Sequence, residues 1–267
     1  MNIYWRELKA GYKSFLIWSA TMVFLVAAGM LKYSAFAKTG ESVNELFNSM
    51  PPGLLQAMGI PPGADFSSIG IFYSIFFLYF LLLMSVHSCL LGASIIAKEE
   101  RDKTADFLMV KPIRRRRAIT AKILAALTMV VFYNLVTFIS SALFVAQSNT
   151  TGVSLTNAIF SVCIFLLILQ VLFLCIGLLL GAWARSAARA AGLATAIILG
   201  TFVLKILINL QDDLSFLQFL SPFDYFNATE IMFDNQFNVW FVVLSLGVSV
   251  VTVVGTYVFY QKRDLHS

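Results

Sequence analysis

Residues 123–184 run for sixty-two positions without one charged side chain. No water-soluble domain tolerates such a stretch, because a soluble chain of 267 residues must cover its core with polar surface, usually about 25% charged residues. Here only 12% of residues are charged and 59% are hydrophobic, and the mean hydropathy is +0.83. A bilayer accepts an apolar exterior but leaves no water for the backbone, so only helices or closed barrels cross it. The apolar runs far exceed the roughly 9–11 residues of a barrel strand. The expected class is therefore an all-α integral membrane protein.

Charged segments cut the chain into six blocks that match the ~20 residues needed to cross the hydrocarbon. The expected spans lie near residues 14–31, 68–97, 119–146, 155–184, 190–210 and 239–260, in one transmembrane domain over 1–267. The uncharged sixty-two residues hold two spans, split at 147–152, where Gln-Ser-Asn-Thr-Thr-Gly is too polar and turn-rich for lipid. The block at 14–31 follows a basic start, as in a signal peptide. It is long for one and no small-x-small site follows, so it reads as a retained span. Lys205, near the end of the fifth block, is expected to snorkel to the headgroups. Cys89, Cys163 and Cys175 all lie in apolar runs, where free thiols act as small hydrophobes.

Orientation follows from the basic residues. Sixteen of the nineteen Lys and Arg fall on the side holding both termini and the 98–122 region; Lys32, Lys38 and Lys205 fall opposite. Six of the fourteen acidic residues share the basic side, so the two faces carry +10 and −5. The positive-inside rule then places both termini in the cytoplasm. The pI near 9.1 reflects this topology and contact with anionic lipid, and nothing calls for nucleic acid.

At the amino terminus Trp5, Leu8 and Tyr12 recur at helical spacing beside a basic face of Arg6, Lys9 and Lys13. This reads as an amphipathic helix lying in the interface, with the aromatic and basic anchor of the first span as the alternative.

No HExxH, GxSxG, CxxC or GxxxxGK[ST] is present, so no catalytic site, metal site or bound cofactor is expected in this chain. Span residue His87 has no carboxylate in its own or a neighbouring span, which favours an interhelical hydrogen bond over a proton path. Asn134, Gln170 and the Ser140-Ser141 pair read as interhelical hydrogen-bond partners, with a polar cavity as the other option.

One long charged segment lies between spans, from Lys98 to Arg117. Helix formers dominate to Met109, and Pro112 disfavours helix at Lys111, so one short helix is expected there. Its second half presents Phe107, Leu108 and Met109 as an apolar knob within a charged neighbourhood. Such a knob must bury itself in lipid, in its own bundle or in a partner's groove. By physics alone, an ordinary headgroup-anchored loop and a partner-docking helix both remain open.

This loop resembles the cytoplasmic loop of ABC-2 type transporter permeases, through Glu99-Glu100, Thr104, Phe107-Leu108, and Pro112 with Arg115. The basic start, the Met50-Pro-Pro-Gly-Leu-Leu-Gln-Ala-Met-Gly59 exterior segment, the six spans and the Lys262-Arg-Asp264 ending are similar as well. The chain departs from the common pattern at Asp102-Lys103, where a glycine usually precedes the threonine, and in its four consecutive arginines. The resemblance implies a coupling helix seated on a separate cytoplasmic ABC ATPase, which binds the ATP and Mg, and two permease chains per transporter. It further implies a bacterial cell membrane and an exporter of amphipathic or apolar compounds such as a drug, peptide or lipid-linked molecule. An ATPase-independent channel, carrier or scaffold is the competing reading.

Beyond the spans, residues 39–67, with two Pro-Pro pairs, are expected to form a small exterior cap containing a helix-like stretch at 43–47. Residues 211–237 are expected to form short interfacial or re-entrant helices before the last span, with solvated acidic side chains.

Overall fold

The computed structural model describes residues 3–39, 44–45, 47, 49–57, 68–101, 115–149, 154–184, 186–234 and 236–262. Among these there is no strand, and six helices are long and apolar enough to cross a membrane. They are α1 (Ile3–Thr39), α3 (Ile69–Arg101), α4 (Arg115–Ser148), α5 (Thr156–Trp183), α6 (Ala187–Leu210) and α7 (Val239–Lys262). A short helix α2 (Pro52–Ala57) falls in the expected exterior cap; of the 43–47 stretch, residues 44, 45 and 47 are helical and 43 and 46 lie outside the described residues. The helices alternate in direction, so the start of α1, the end of α3, the start of α4 and the end of α7 share one end, called here the basic end.

Apolar sequence alone does not say which helix is central. The structure puts α5 there, packed on α3, α4, α6 and α7, and it is the most buried of the six. The reason lies in its small residues. Gly177 and Gly181, four apart on α5, face Cys89 and Ala93, four apart on α3, and Gly92 of α3 faces Leu174 and Leu178. Backbones approach so closely here that any Cβ would collide with a main-chain carbonyl.

Helices α1 and α3 run antiparallel in constant register. Each step of eleven residues up α1 matches eleven back along α3, about three helical turns: Glu7 pairs with Lys98, Trp18 with His87, and Gly29 with Phe76. The start of α1 is thus no separate interfacial helix. It continues the span upright, because Tyr4 and Leu8 pack into the apolar cluster of Ile95, Ile119 and Ala126, and the Tyr4 hydroxyl lies 3.1 Å from that of Thr128. Trp5 and Tyr12 are exposed aromatic residues of this start, at 59% and 51%.

The charge-free stretch splits as expected, with α4 ending at Ser148 and α5 starting at Thr156. Asn134 Nδ2 donates to Gln170 Oε1 at 3.1 Å and to the Cys163 carbonyl at 3.0 Å, tying α4 to α5. His87 departs from expectation. Its Nδ1 has no hydrogen-bond partner, and its ring packs instead against Trp18 and Tyr133, at centroid distances of 5.4 and 4.6 Å. The three cysteines are buried and free.

Before α7 the chain makes two 3-10 stretches, Asp212–Leu220 and Pro222–Asp224, and a π turn at Glu230–Asp234. Apolar side chains draw this segment inward: Phe223 lies against Phe173 and Phe202, and Tyr225 stacks on Phe241. The ammonium of Lys205 donates to the Phe223 carbonyl at 2.8 Å and lies 3.6 Å from the Asp224 carboxylate, both supplied by the folded-in segment. Asp224 is thus not simply solvated, and burial raises its pKa despite the opposing charge of Lys205.

Candidate functional site

The best-built polar assembly among the described residues lies at the basic end, on helix ends that include the two flanking residues 102–114. It begins with Glu7, one turn into α1 and 2% exposed. Arg6 Nη2 donates to Glu7 Oε1 at 2.7 Å, and Lys98 Nζ donates to Oε2 at 3.2 Å. Lys122 of α4 is fully buried, donates to the Ile95 carbonyl at 2.5 Å, and adds its charge to the field on the same carboxylate. Buried charges are tolerated only when paired and hydrogen-bonded, so this arrangement holds α1, α3 and α4 to one another.

A second clamp joins α4 to α7. Arg115 Nη1 donates to the Gln261 carbonyl at 3.1 Å, and Arg116 Nη2 lies 3.4 Å from Gln261 Oε1. One turn on, the Thr120 and Tyr257 hydroxyls are 2.7 Å apart. A guanidinium on the last carbonyls of α7 is well placed, since helix C-termini carry unsatisfied acceptors and partial negative charge.

Arg115 is therefore the one coupling candidate whose side-chain role is visible. Glu99 and Glu100 lie on the last turns of α3. Thr104, Phe107, Leu108, Met109 and Pro112 lie outside the described residues. Of the amino-terminal set, Leu8 packs into the apolar cluster, and Trp5 and Tyr12 face outward.

Sequence reasoning missed Glu7, Lys122 and Gln261. A signal existed for Glu7, which is the only acidic residue before position 41 and shares a helical face with Tyr4 and Leu8. Lys122 looked like one more loop cation. Nothing local marked Gln261.

This set holds charge and position, with no nucleophile, general base or phosphate-cradling loop. Among the described residues no group of His, Cys, Asp and Glu is suited to a metal ion. The set ties the helix ends that flank residues 102–114 to the ends of α1 and α7.

The sequence matches the family described as ABC-2 family transporter protein over residues 1–265, and no curated protein matches it. Six membrane-capable helices and a family match over nearly the whole chain give one conclusion: the protein belongs to the ABC-2 transporter family and is a multi-pass membrane permease of an ABC transporter.

Proposed function

We propose that this chain is the non-catalytic membrane subunit of an ATP-driven exporter that moves an amphipathic or apolar compound outward. The observation that carries this reading is the anchoring of the two helix ends that flank residues 102–114. Glu7, Lys98 and Lys122 tie the end of α3 and the start of α4 to α1, and Arg115 and Gln261 tie the start of α4 to α7. A push on the loop is then transmitted along long, stiff helices instead of being absorbed locally. The partner that pushes is a separate cytoplasmic ABC ATPase carrying ATP and Mg, docked on a coupling segment that starts with Glu99 and Glu100 at the end of α3 and continues through Thr104, Phe107, Leu108, Met109 and Pro112.

On this reading the basic end faces the cytoplasm of a bacterial cell, because sixteen of nineteen cations lie there. A second permease chain completes the transporter. The outward face of α6 suits such a contact, since Gly192 and Gly200 have nothing within 4 Å and permit close helix approach.

Two measurements test the proposal. Purification of the tagged chain from its native membrane in mild detergent is expected to bring down a stoichiometric ATPase. Replacing Phe107 or Leu108 with Asp is expected to cut ATPase binding and stimulation at least tenfold while insertion is unchanged, because a charge is driven into an apolar cleft at a cost of about 1.4 kcal/mol or more. Full stimulation in both variants removes the coupling assignment, and an inactive preparation without an ATPase favours a channel, carrier or scaffold.

A further inference from the structure

Where the end of α7 meets the start of α4, a groove of about 540 Å³ is walled by Arg116, Val254, Tyr257, Val258, Gln261 and Lys262. The two helices keep an antiparallel register there. Arg116 Nη2 lies 3.4 Å from Gln261 Oε1, and four residues on along α4 and four back along α7 the Thr120 and Tyr257 hydroxyls are 2.7 Å apart. The groove is graded along this register. Its rim is cationic, at Arg116 and Lys262, and its inner part is the ring of Tyr257 with the exposed Val258 and Val254. From Lys262 to Val254 is eight residues, about 12 Å. Val250, one turn further in, is 64% exposed, so the apolar stripe continues into the hydrocarbon.

The rim holds unspent charge and unspent donors. Among the described residues no acid lines the groove, Lys262 makes no ion pair, and the one side-chain contact of Arg116 is to the neutral Gln261. Because Gln261 Oε1 accepts from Arg116, its Nε2 protons stay unused among the described residues. The local sequence has six cations, Arg114 to Arg117, Lys262 and Arg263, against the single acid Asp264. The whole basic end sums to +10 with all six of its acidic residues counted, so those acids cannot neutralise its cations. One turn in, polarity ends. Thr120 donates to the Arg116 carbonyl at 2.9 Å and accepts from Tyr257, which uses up both hydroxyl protons inside the protein.

We propose that this groove binds one anionic phospholipid, its phosphate at Arg116, Lys262 and the Gln261 amide, and an acyl chain along Val258, Val254 and Val250. The order of charge, then donor, then hydrocarbon is that of the lipid itself. A free anion has no use for the valine stripe, and a choline head would bring its own cation into a cationic rim. The lipid bridges α4 and α7 beside the Arg115 clamp on the Gln261 carbonyl, and so fastens the start of α4 to the last span. The site rests on the bilayer and on these two helices, and the exporter reading plays no part in it.

The test uses the full chain with Trp5, Trp18, Trp183 and Trp240 changed to Phe and with Val250→Trp as its one tryptophan, in phosphatidylcholine nanodiscs. A small fraction of phosphatidylglycerol brominated midway along its acyl chains is expected to quench that tryptophan saturably. Equally brominated phosphatidylcholine is expected to quench only in proportion to its share of the bilayer. Arg116→Gln and Lys262→Gln are each expected to weaken the preference for phosphatidylglycerol about fivefold. Lys262 is exposed at the end of α7, so its variant leaves the packing intact if Arg116→Gln disturbs it. Arg117→Gln removes the same charge from the next position, exposed and outside the groove, and is expected to change the preference by less than about twofold. Equal quenching by the two brominated lipids, an equal loss in Arg117→Gln, or release of the quenching by millimolar inorganic phosphate overturns the proposal. The first result marks ordinary bilayer contact, the second a general basic field and the third a site for soluble anions. None of these readouts needs the ATPase, so a failed exporter reading leaves them intact.

Discussion

Replacing Gly177 with leucine is expected to stop the protein from accumulating in the membrane, with the folded population falling by more than tenfold. A Cβ at this position meets the Cys89 carbonyl oxygen, and the obstacle is main chain of α3, which no rotamer change can move aside. Gly92 and Gly181 meet carbonyls of Leu174 and Ala93 in the same way, so the whole seam would have to open. Overpacking against side chains costs about 1–3 kcal/mol; against backbone, at least about 3 kcal/mol is expected, a large part of a typical 5–15 kcal/mol stability. Gly247→Leu in α7 is the control, since nothing lies within 4 Å of that glycine. Membrane levels and detergent melting curves of the two variants decide the matter: similar behaviour would show that the α3–α5 seam does not depend on close backbone approach.

The second large effect is expected at Glu7. Changing it to leucine leaves the buried Lys122 and the adjacent Lys98 without their carboxylate, and removal of one partner from a buried ionic cluster costs about 3–5 kcal/mol. For a chain of this size that corresponds to a drop in melting temperature on the order of 10 °C. Combining Glu7→Leu with Lys122→Met is expected to restore at least half of the loss, because well-packed apolar groups replace buried ions at little net cost. Stimulation of the partner ATPase separates structure from coupling. The double variant should stay folded yet transmit poorly, since α1 is no longer tied by charge to the flank of the loop. A single variant that melts with the parent protein would remove Glu7 from the base altogether.

Much of the architecture was legible in the sequence. Six helices appear where charge-free blocks predict them, and the Gln147-to-Gly152 break falls between α4 and α5. Asn134 and Gln170 pair across two helices as their types suggest in an apolar setting. The family is legible too, because the order of basic start, exterior segment, charged loop and spans is itself a sequence property.

Several particulars were not legible, and each fails for the same kind of reason. The amphipathic start reads as an interfacial helix; that it is continuous with the first span depends on Tyr4 and Leu8 finding α4 and its neighbours, with Thr128 more than a hundred residues away. Lys205 has no nearby acid in its own helix, and finds Asp224 only because Phe223 and Tyr225 pull the later segment inward. His87 offers hydrogen bonds that the fold does not use.

The sequence by itself determined that the chain crosses a membrane, how often, which end is basic and which loop is charged, because hydropathy and charge are local properties summed over about twenty neighbours. Only the tertiary structure decided which cations are buried, which glycines carry backbone contact and where a cavity remains. Those depend on partners such as Glu7 and Lys98, ninety-one residues apart, and one-dimensional periodicity holds no record of which face meets which.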